Sequence, residues 1–235
     1  MNASDAEDFS LIETMRFGPF PAGFRALAEK GPSDGPLSGY FLLGLHMNRL
    51  LGSAERLGFR ADEALIHDSL EETAHSILKE GGGPFRVRLL LSRNGRIQIS
   101  WGPLQEVSLP VGFDICPELR QEAEEFILNK TTRRAFLDEQ LRLAKGRGLF
   151  DTILLNSQGQ VTEGTITNIF VEVSEGAPLI TPPVSAGLLP GVLRQHLLEE
   201  GRAAAAPVSR EDLLSARRIY LGNSVRGLME ARLAP

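Results

Sequence analysis

Cysteine is almost missing from this chain: Cys116 is the single one in 235 residues, so no disulfide can form within it. It sits in the apolar stretch VGFDIC, which suits a buried structural thiol better than a nucleophile. No apolar run approaches the roughly 20 residues that a membrane span requires. The opening MNASDAEDFS lacks the basic-then-apolar order of a signal peptide. A basic excess is missing too: net charge is −5, whereas a nucleic-acid partner needs a concentrated positive face. These absences predict a cytoplasmic protein that partners neither nucleic acid nor membrane. Metal-ligand spacing is also wanting. His46, His67, His75 and His196 are scattered, with no pair one helical turn apart and no cysteine pair, so no metal is expected. Lysine is scarce, at Lys30, Lys79, Lys130 and Lys145 alone, so any chemistry that needs an amine nucleophile has four candidates.

What is present is the 42% hydrophobic and 23% charged content of an ordinary globular protein. At this length the chain can bury a core without staples, as one large domain or two small ones around a shared cleft. Residues 8–15 read as a strand, and 18–39, rich in Gly, Pro and Ser, as a long loop or irregular hairpin. Leu43, Met47, Leu50, Ala54 and Leu57 predict one helix ending at Gly58. Ile66, Leu70, Ala74 and Ile77 predict the inner face of a second, from Asp62 to Lys79. FRVRLLLS and RIQISW flank Asn94-Gly95 as a hairpin. The proline-bearing stretch 102–118 reads as the join between two lobes. The second lobe opens with FILN as a strand running into Lys130, followed by a helix over 133–145. Strands are expected at 152–155 and 167–173, a helix from about 190, and a last strand in RRIYLGN. The mix is α+β in two lobes.

Three clusters stand out. Lys130 precedes Thr131-Thr132 at an element junction, where an amine can face a cleft and have its pKa lowered; alone, it reads equally as a solvated lysine. Val161-Thr162-Glu163-Gly164-Thr165, followed by Asn168, offers a carboxylate suited to a pyridinium nitrogen, or simply a turn with a solvated glutamate. Gly187-Leu188-Leu189-Pro190-Gly191-Val192-Leu193-Arg194 opens a helix whose first amides suit an anion, or is merely a helix start.

Together and in this order, the clusters resemble the class IV (fold-type IV) pyridoxal 5′-phosphate (PLP) enzymes. That family includes branched-chain and D-amino-acid aminotransferases and 4-amino-4-deoxychorismate lyase. The resemblance spans LIETMR, LHMNRL, NKTTRR, LLNSQGQVTEGTITNIF, TPPVSAGLLPGVLR and IYLGNSVRGL. It implies a D-amino-acid aminotransferase-like fold: a smaller α/β domain over 1–104, a connection at 105–118, and a larger pseudo-barrel, PLP-binding domain over 119–235. It also implies a homodimer acting on a small-molecule substrate. The chain starts almost on its ETMR segment, which resembles the lyase portion of fusion proteins and suggests an aminodeoxychorismate synthase as a partner.

Carried over residue by residue, the resemblance makes Lys130 the Schiff-base lysine and proton shuttle, and Glu163 the carboxylate on the pyridine nitrogen. Arg49, the amides of Val192 and Leu193, and the polar pair Asn223-Ser224 match phosphate contacts. Thr14 aligns with a threonine that assists pyruvate release in the lyases, and Arg88 and Arg226 are candidates for substrate carboxylates. Within the family, the transaminase tyrosine five positions after the lysine is replaced by Ala135, beside Phe136. Lys130-x3-Arg134, Thr14 and the GNS of the last block agree with the lyases. The expected activity is therefore aminodeoxychorismate lyase in the synthesis of 4-aminobenzoate, a folate precursor. The alternatives are a class IV aminotransferase for branched-chain or D-amino acids, or a non-catalytic PLP-binding protein.

Overall fold

The computed structural model describes residues 9–20, 35–81, 83–119 and 124–234. They fall into two compact units. The first holds the described residues of 9–20, 35–104 and 129–133; the second holds those of 105–128 and 134–234. Lys130 thus belongs with the first unit, in a short segment, 129–133, flanked along the chain on both sides by residues of the second. Most of the loop expected over 18–39, with Lys30, lies outside the described residues.

The first unit begins with β1 (Ser10–Phe17), on which Leu11, Glu13, Met15 and Phe17 are buried. Helix α1 (Leu43–Leu57) packs on β1 and stops at Gly58, whose φ of 68° lets its N–H reach back to the Ala54 and Glu55 carbonyls. Helix α2 (Glu63–Glu80) is capped by Asp62, whose Oδ1 accepts from Leu65 N–H at 3.1 Å. It buries Ile66, Leu70, Ala74 and Ile77, the stripe that the spacing predicts. Strands β2 (Phe85–Ser92) and β3 (Ile97–Pro103) meet across Asn94-Gly95, with Gly95 at φ 90°. The three strands form an antiparallel sheet in the order β1-β2-β3.

The second unit contains β4 (Val111–Ile115), the one-turn α3 (Glu124–Ile127), α4 (Ala135–Gly146), β5 (Asp151–Leu155), β6 (Val161–Gly164), β7 (Asn168–Glu172) and β8 (Leu179–Thr181). It continues through α5 (Val192–Glu199), β9 (Ala203–Ala205), α6 (Arg210–Ser215), β10 (Arg218–Asn223) and β11 (Gly227–Leu233). Its eight strands make one mixed sheet in the order β6-β5-β4-β11-β10-β7-β8-β9. Strands β5, β6 and β7 are buried almost throughout, as expected where both faces are covered. Phe113, Ile153, Ile169, Leu221 and Met229 centre the core.

Three elements differ from the sequence expectations. The apolar FIL before Lys130 ends a helical turn rather than forming a strand, an ambiguity intrinsic to short apolar runs. Glu163 lies within β6, a strand between the two expected at 152–155 and 167–173. RRIYLGN is not the last strand, because GLMEARL returns antiparallel beside it as β11. No helix among the described residues is long and apolar enough to cross a membrane.

Candidate active site

The first unit presents Lys130 by stitching residues 129–132 to the free edge of β1. Ile12 N–H donates to the Lys130 carbonyl at 2.8 Å and Thr132 N–H to the Ser10 carbonyl at 2.9 Å, while Leu11 and Thr131 form an antiparallel bridge. That register sets Lys130 opposite Ile12. Just before it, Asn129 Oδ1 accepts from Arg56 Nε at 3.3 Å and Nη2 at 2.9 Å, and the same Nη2 donates to Ser53 Oγ at 3.2 Å. The amine's main chain is therefore held on both sides. Across β1 and β2, Thr14 stands directly opposite Arg88. Side chains two apart along a strand share a face, so Thr14, Arg88 and the Lys130 position lie on one face of the sheet.

The other face holds a buried ionic cluster. Glu13, 1% exposed, accepts from Arg49 Nε at 2.8 Å and Nη2 at 2.6 Å, and from His46 Nδ1 at 2.6 Å. Burial alone would raise its pKa. The Arg49 charge and the His46 contact outweigh that and bring it to about 2. Burial depresses the His46 pKa despite Glu13, and the Nδ1 proton faces the carboxylate. The fork fixes the plane and position of the Arg49 guanidinium. Glu13 and His46 did not emerge from sequence reasoning, yet a signal existed: an acidic residue stands in register with Leu11, Met15 and Phe17.

In the second unit, Glu163 is 5% exposed and its Oε1 accepts from Leu189 N–H at 3.1 Å, while Asn168 Nδ2 donates to the Leu189 carbonyl at 3.1 Å. The segment that leads into α5 is thus clamped to the strands on either side of the 164–167 turn. Helix α5 starts at Gly191, where a Cβ would lie 2.0 Å from Asn168 Oδ1, so only glycine permits this approach. Gly222 on β10 similarly makes room for Leu193. Next to it, Asn223 Nδ2 donates to the Ile166 carbonyl at 3.1 Å, and its Oδ1 caps the Val225 and Arg226 amides. The fold brings Glu163, Val192, Leu193, Asn223 and Ser224 into one neighbourhood. Arg226 Nη1 donates to the Gln105 carbonyl at 2.7 Å, and its guanidinium lies 5.8 Å from the Phe150 ring centroid.

Asp151, fully buried, anchors that neighbourhood from below. Its Oδ1 accepts from the Thr152 and Thr165 amides, both at 2.9 Å, and from Thr165 Oγ1 at 2.6 Å. Its Oδ2 accepts from Thr167 Oγ1 at 2.7 Å and Ile166 N–H at 3.3 Å. Burial raises its pKa, and these neutral donors only partly offset the rise. Sequence reasoning missed Asp151, which looked like an ordinary strand start.

This donor set fits PLP. Taken separately, the first unit offers an amine in Lys130 and the second a buried carboxylate in Glu163. The first turn of α5 has no side-chain cap and no acidic residue, leaving amides suited to a phosphate. A mixed α+β fold with such residues defines a PLP enzyme of fold type IV. The sequence profile of the family "Amino-transferase class IV" matches residues 34–234, and the chain belongs to that family, whose cofactor is PLP. It is 31% identical over 201 residues to a Schizosaccharomyces pombe protein named "Putative aminodeoxychorismate lyase", covering 82% of this chain and 83% of that one. It is 27% identical over 246 residues to a Thermotoga maritima "Probable branched-chain-amino-acid aminotransferase", covering 96% and 80%. Among solved structures, a "Putative amino-acid aminotransferase" from Mesorhizobium loti superposes with TM-score 0.81 at 34% identity, over 97% of this chain and 100% of that one.

Proposed function

We propose that the chain is a 4-amino-4-deoxychorismate lyase, releasing pyruvate and leaving 4-aminobenzoate. The observation that carries this reading is the pairing of Lys130 with Thr14: an amine and a hydroxyl share one sheet face, one pleat row apart. Ala135 and Phe136 offer no phenol hydroxyl after the lysine, unlike the transaminase pattern. The pombe relative adds support by its name.

When bound, PLP supplies the electron sink that acidifies the proton on the amine-bearing carbon. Lys130 holds the cofactor and its Nζ takes that proton; Glu163 keeps the pyridine nitrogen protonated. Arg49, the Val192 and Leu193 amides, Asn223 and Ser224 hold the phosphate. Arg88 and Arg226 grip substrate carboxylates, and Thr14 assists departure of the enolpyruvyl group. The carbon–oxygen bond breaks as the substrate ring becomes aromatic, so the protein mainly contributes orientation and proton transfer.

The test is pyruvate release from aminodeoxychorismate by PLP-loaded protein, with no keto acid added. The reading expects sustained release, and expects Thr14→Val to slow it far more than it weakens cofactor binding. Background release together with rapid amino exchange between an amino acid and 2-oxoglutarate would establish an aminotransferase instead. The Mesorhizobium structure, by its name, favours that second reading.

A further inference from the structure

The face of the three-stranded sheet that carries the Lys130 position has an unusual charge pattern. Thr14, Arg88 and Ser100 form one row across it, and Arg16, Arg86 and Gly102 form the next. Both rows share that face by pleat alternation. Arg86 and Arg88 are exposed, and neither makes an ion pair or side-chain hydrogen bond among the described residues. Arg16 stands directly opposite Arg86, and its Nε donates to the Pro19 carbonyl. The chain has 30 acidic residues against 25 basic ones, yet neither row contains a carboxylate. Arginine forks in this arrangement match carboxylates, which they bind through two parallel hydrogen bonds. Arg86 and Arg88 are two residues apart on one strand, about 7 Å. That is the scale of two carboxylates on one six-membered ring.

We infer that Arg86 is a second carboxylate subsite beside Arg88, so that this sheet face selects doubly anionic ligands over singly anionic ones. The inference rests on the proposed assignment of Lys130 and Arg88 to the reacting face, and it names a determinant of substrate class that those residues alone do not supply. Arg88 takes the carboxylate nearer the amine, and Arg86 adds a second fork on this face to the grip assigned to Arg88 and Arg226. A monocarboxylate amino acid leaves the Arg86 row unfilled.

The test is calorimetric titration of the PLP-loaded full chain with benzene-1,3-dicarboxylate and, separately, with benzoate. Wild type is expected to bind the dianion at least about tenfold more tightly, the size of one charge-assisted hydrogen bond. Arg86→Gln should bring the dianion close to benzoate while leaving benzoate affinity and the absorbance of bound cofactor unchanged, and Arg86→Lys should retain part of the preference. Equal binding of the two acids by wild type, or an undiminished dianion preference in Arg86→Gln, overturns the subsite. The lyase reading fails separately, by absent pyruvate release, and a dianion preference that survives such a failure leaves the subsite standing.

Discussion

Among the described residues, Glu13 in the first unit and Asp151 in the second are the most deeply buried carboxylates, and the two are kept in opposite ways. Glu13 in the first unit faces a guanidinium and an imidazole, and its pKa falls to about 2. Asp151 in the second unit is hydrogen-bonded by amides and threonine hydroxyls, with the Lys145 charge acting on it without an ion pair among the described residues, and its pKa rises. Hydrogen bonds from neutral groups satisfy a buried carboxylate without repaying the loss of its hydration; a nearby cation does repay it. The difference matches what each carboxylate holds. Glu13 fixes a charged side chain, Arg49, whereas Asp151 fixes a main-chain turn, 164–167, directly after Glu163.

Removing one partner of the ionic cluster breaks the comparison most severely. Glu13→Gln leaves Arg49 buried against a neutral amide, and loss of a buried pair costs about 3–5 kcal/mol. In a chain of this size that lowers the melting temperature by on the order of 10 °C, readable by calorimetry. The same pairing predicts an acid limb. The folded pKa lies below the ordinary 4.5, so the contribution of Glu13 is complete above pH 4.5 and is lost as pH falls toward 2. Asp151 acts with the opposite sign: its raised folded pKa gives stability in acid that is lost as pH rises through that pKa. Comparing the acid limbs of wild type and Glu13→Gln isolates the first term, since the variant should lose the steep fall below pH 4.5.

Asp151→Asn should cost less, about 1–3 kcal/mol, because the mismatch is confined to the amide donor that would face the Ile166 N–H, while Thr167 can rotate its hydroxyl to accept. A loss matching that of Glu13→Gln would show that amides and hydroxyls hold Asp151 as firmly as the cation holds Glu13. Arg56→Met is expected to have the smallest effect on stability, under about 1 kcal/mol, since Arg56 is exposed. It should nevertheless slow cofactor uptake, because the fork onto Asn129 steadies the segment carrying Lys130. Uptake followed by absorbance at wild-type speed would confine Arg56 to a surface contact.

Local pattern carried much of this fold into the sequence. The stripe Ile66, Leu70, Ala74, Ile77 was legible because one face of a helix is buried and the period reports it. The Asn94-Gly95 hairpin was legible because its turn demands positive φ. The resemblance located Lys130 and Glu163, but their settings were not readable, since both depend on contacts distant in sequence. Thr14 faces Arg88 only because β1 pairs with a strand about seventy residues later. Glu13 was hidden for the same reason: its partners Arg49 and His46 lie on a helix that the period alone cannot dock. Asp151 gave no signal because its donors sit on a turn beyond a neighbouring strand.

The most direct test of the account concerns the amine. Incubating the chain with PLP, reducing with borohydride, digesting and mapping the fixed cofactor by mass spectrometry identifies the lysine that holds it. The account predicts the label on Lys130, none on Lys79 or Lys145, and no fixation in a folded Lys130→Ala variant. Label on another lysine, or the same yield from Lys130→Ala, would contradict it.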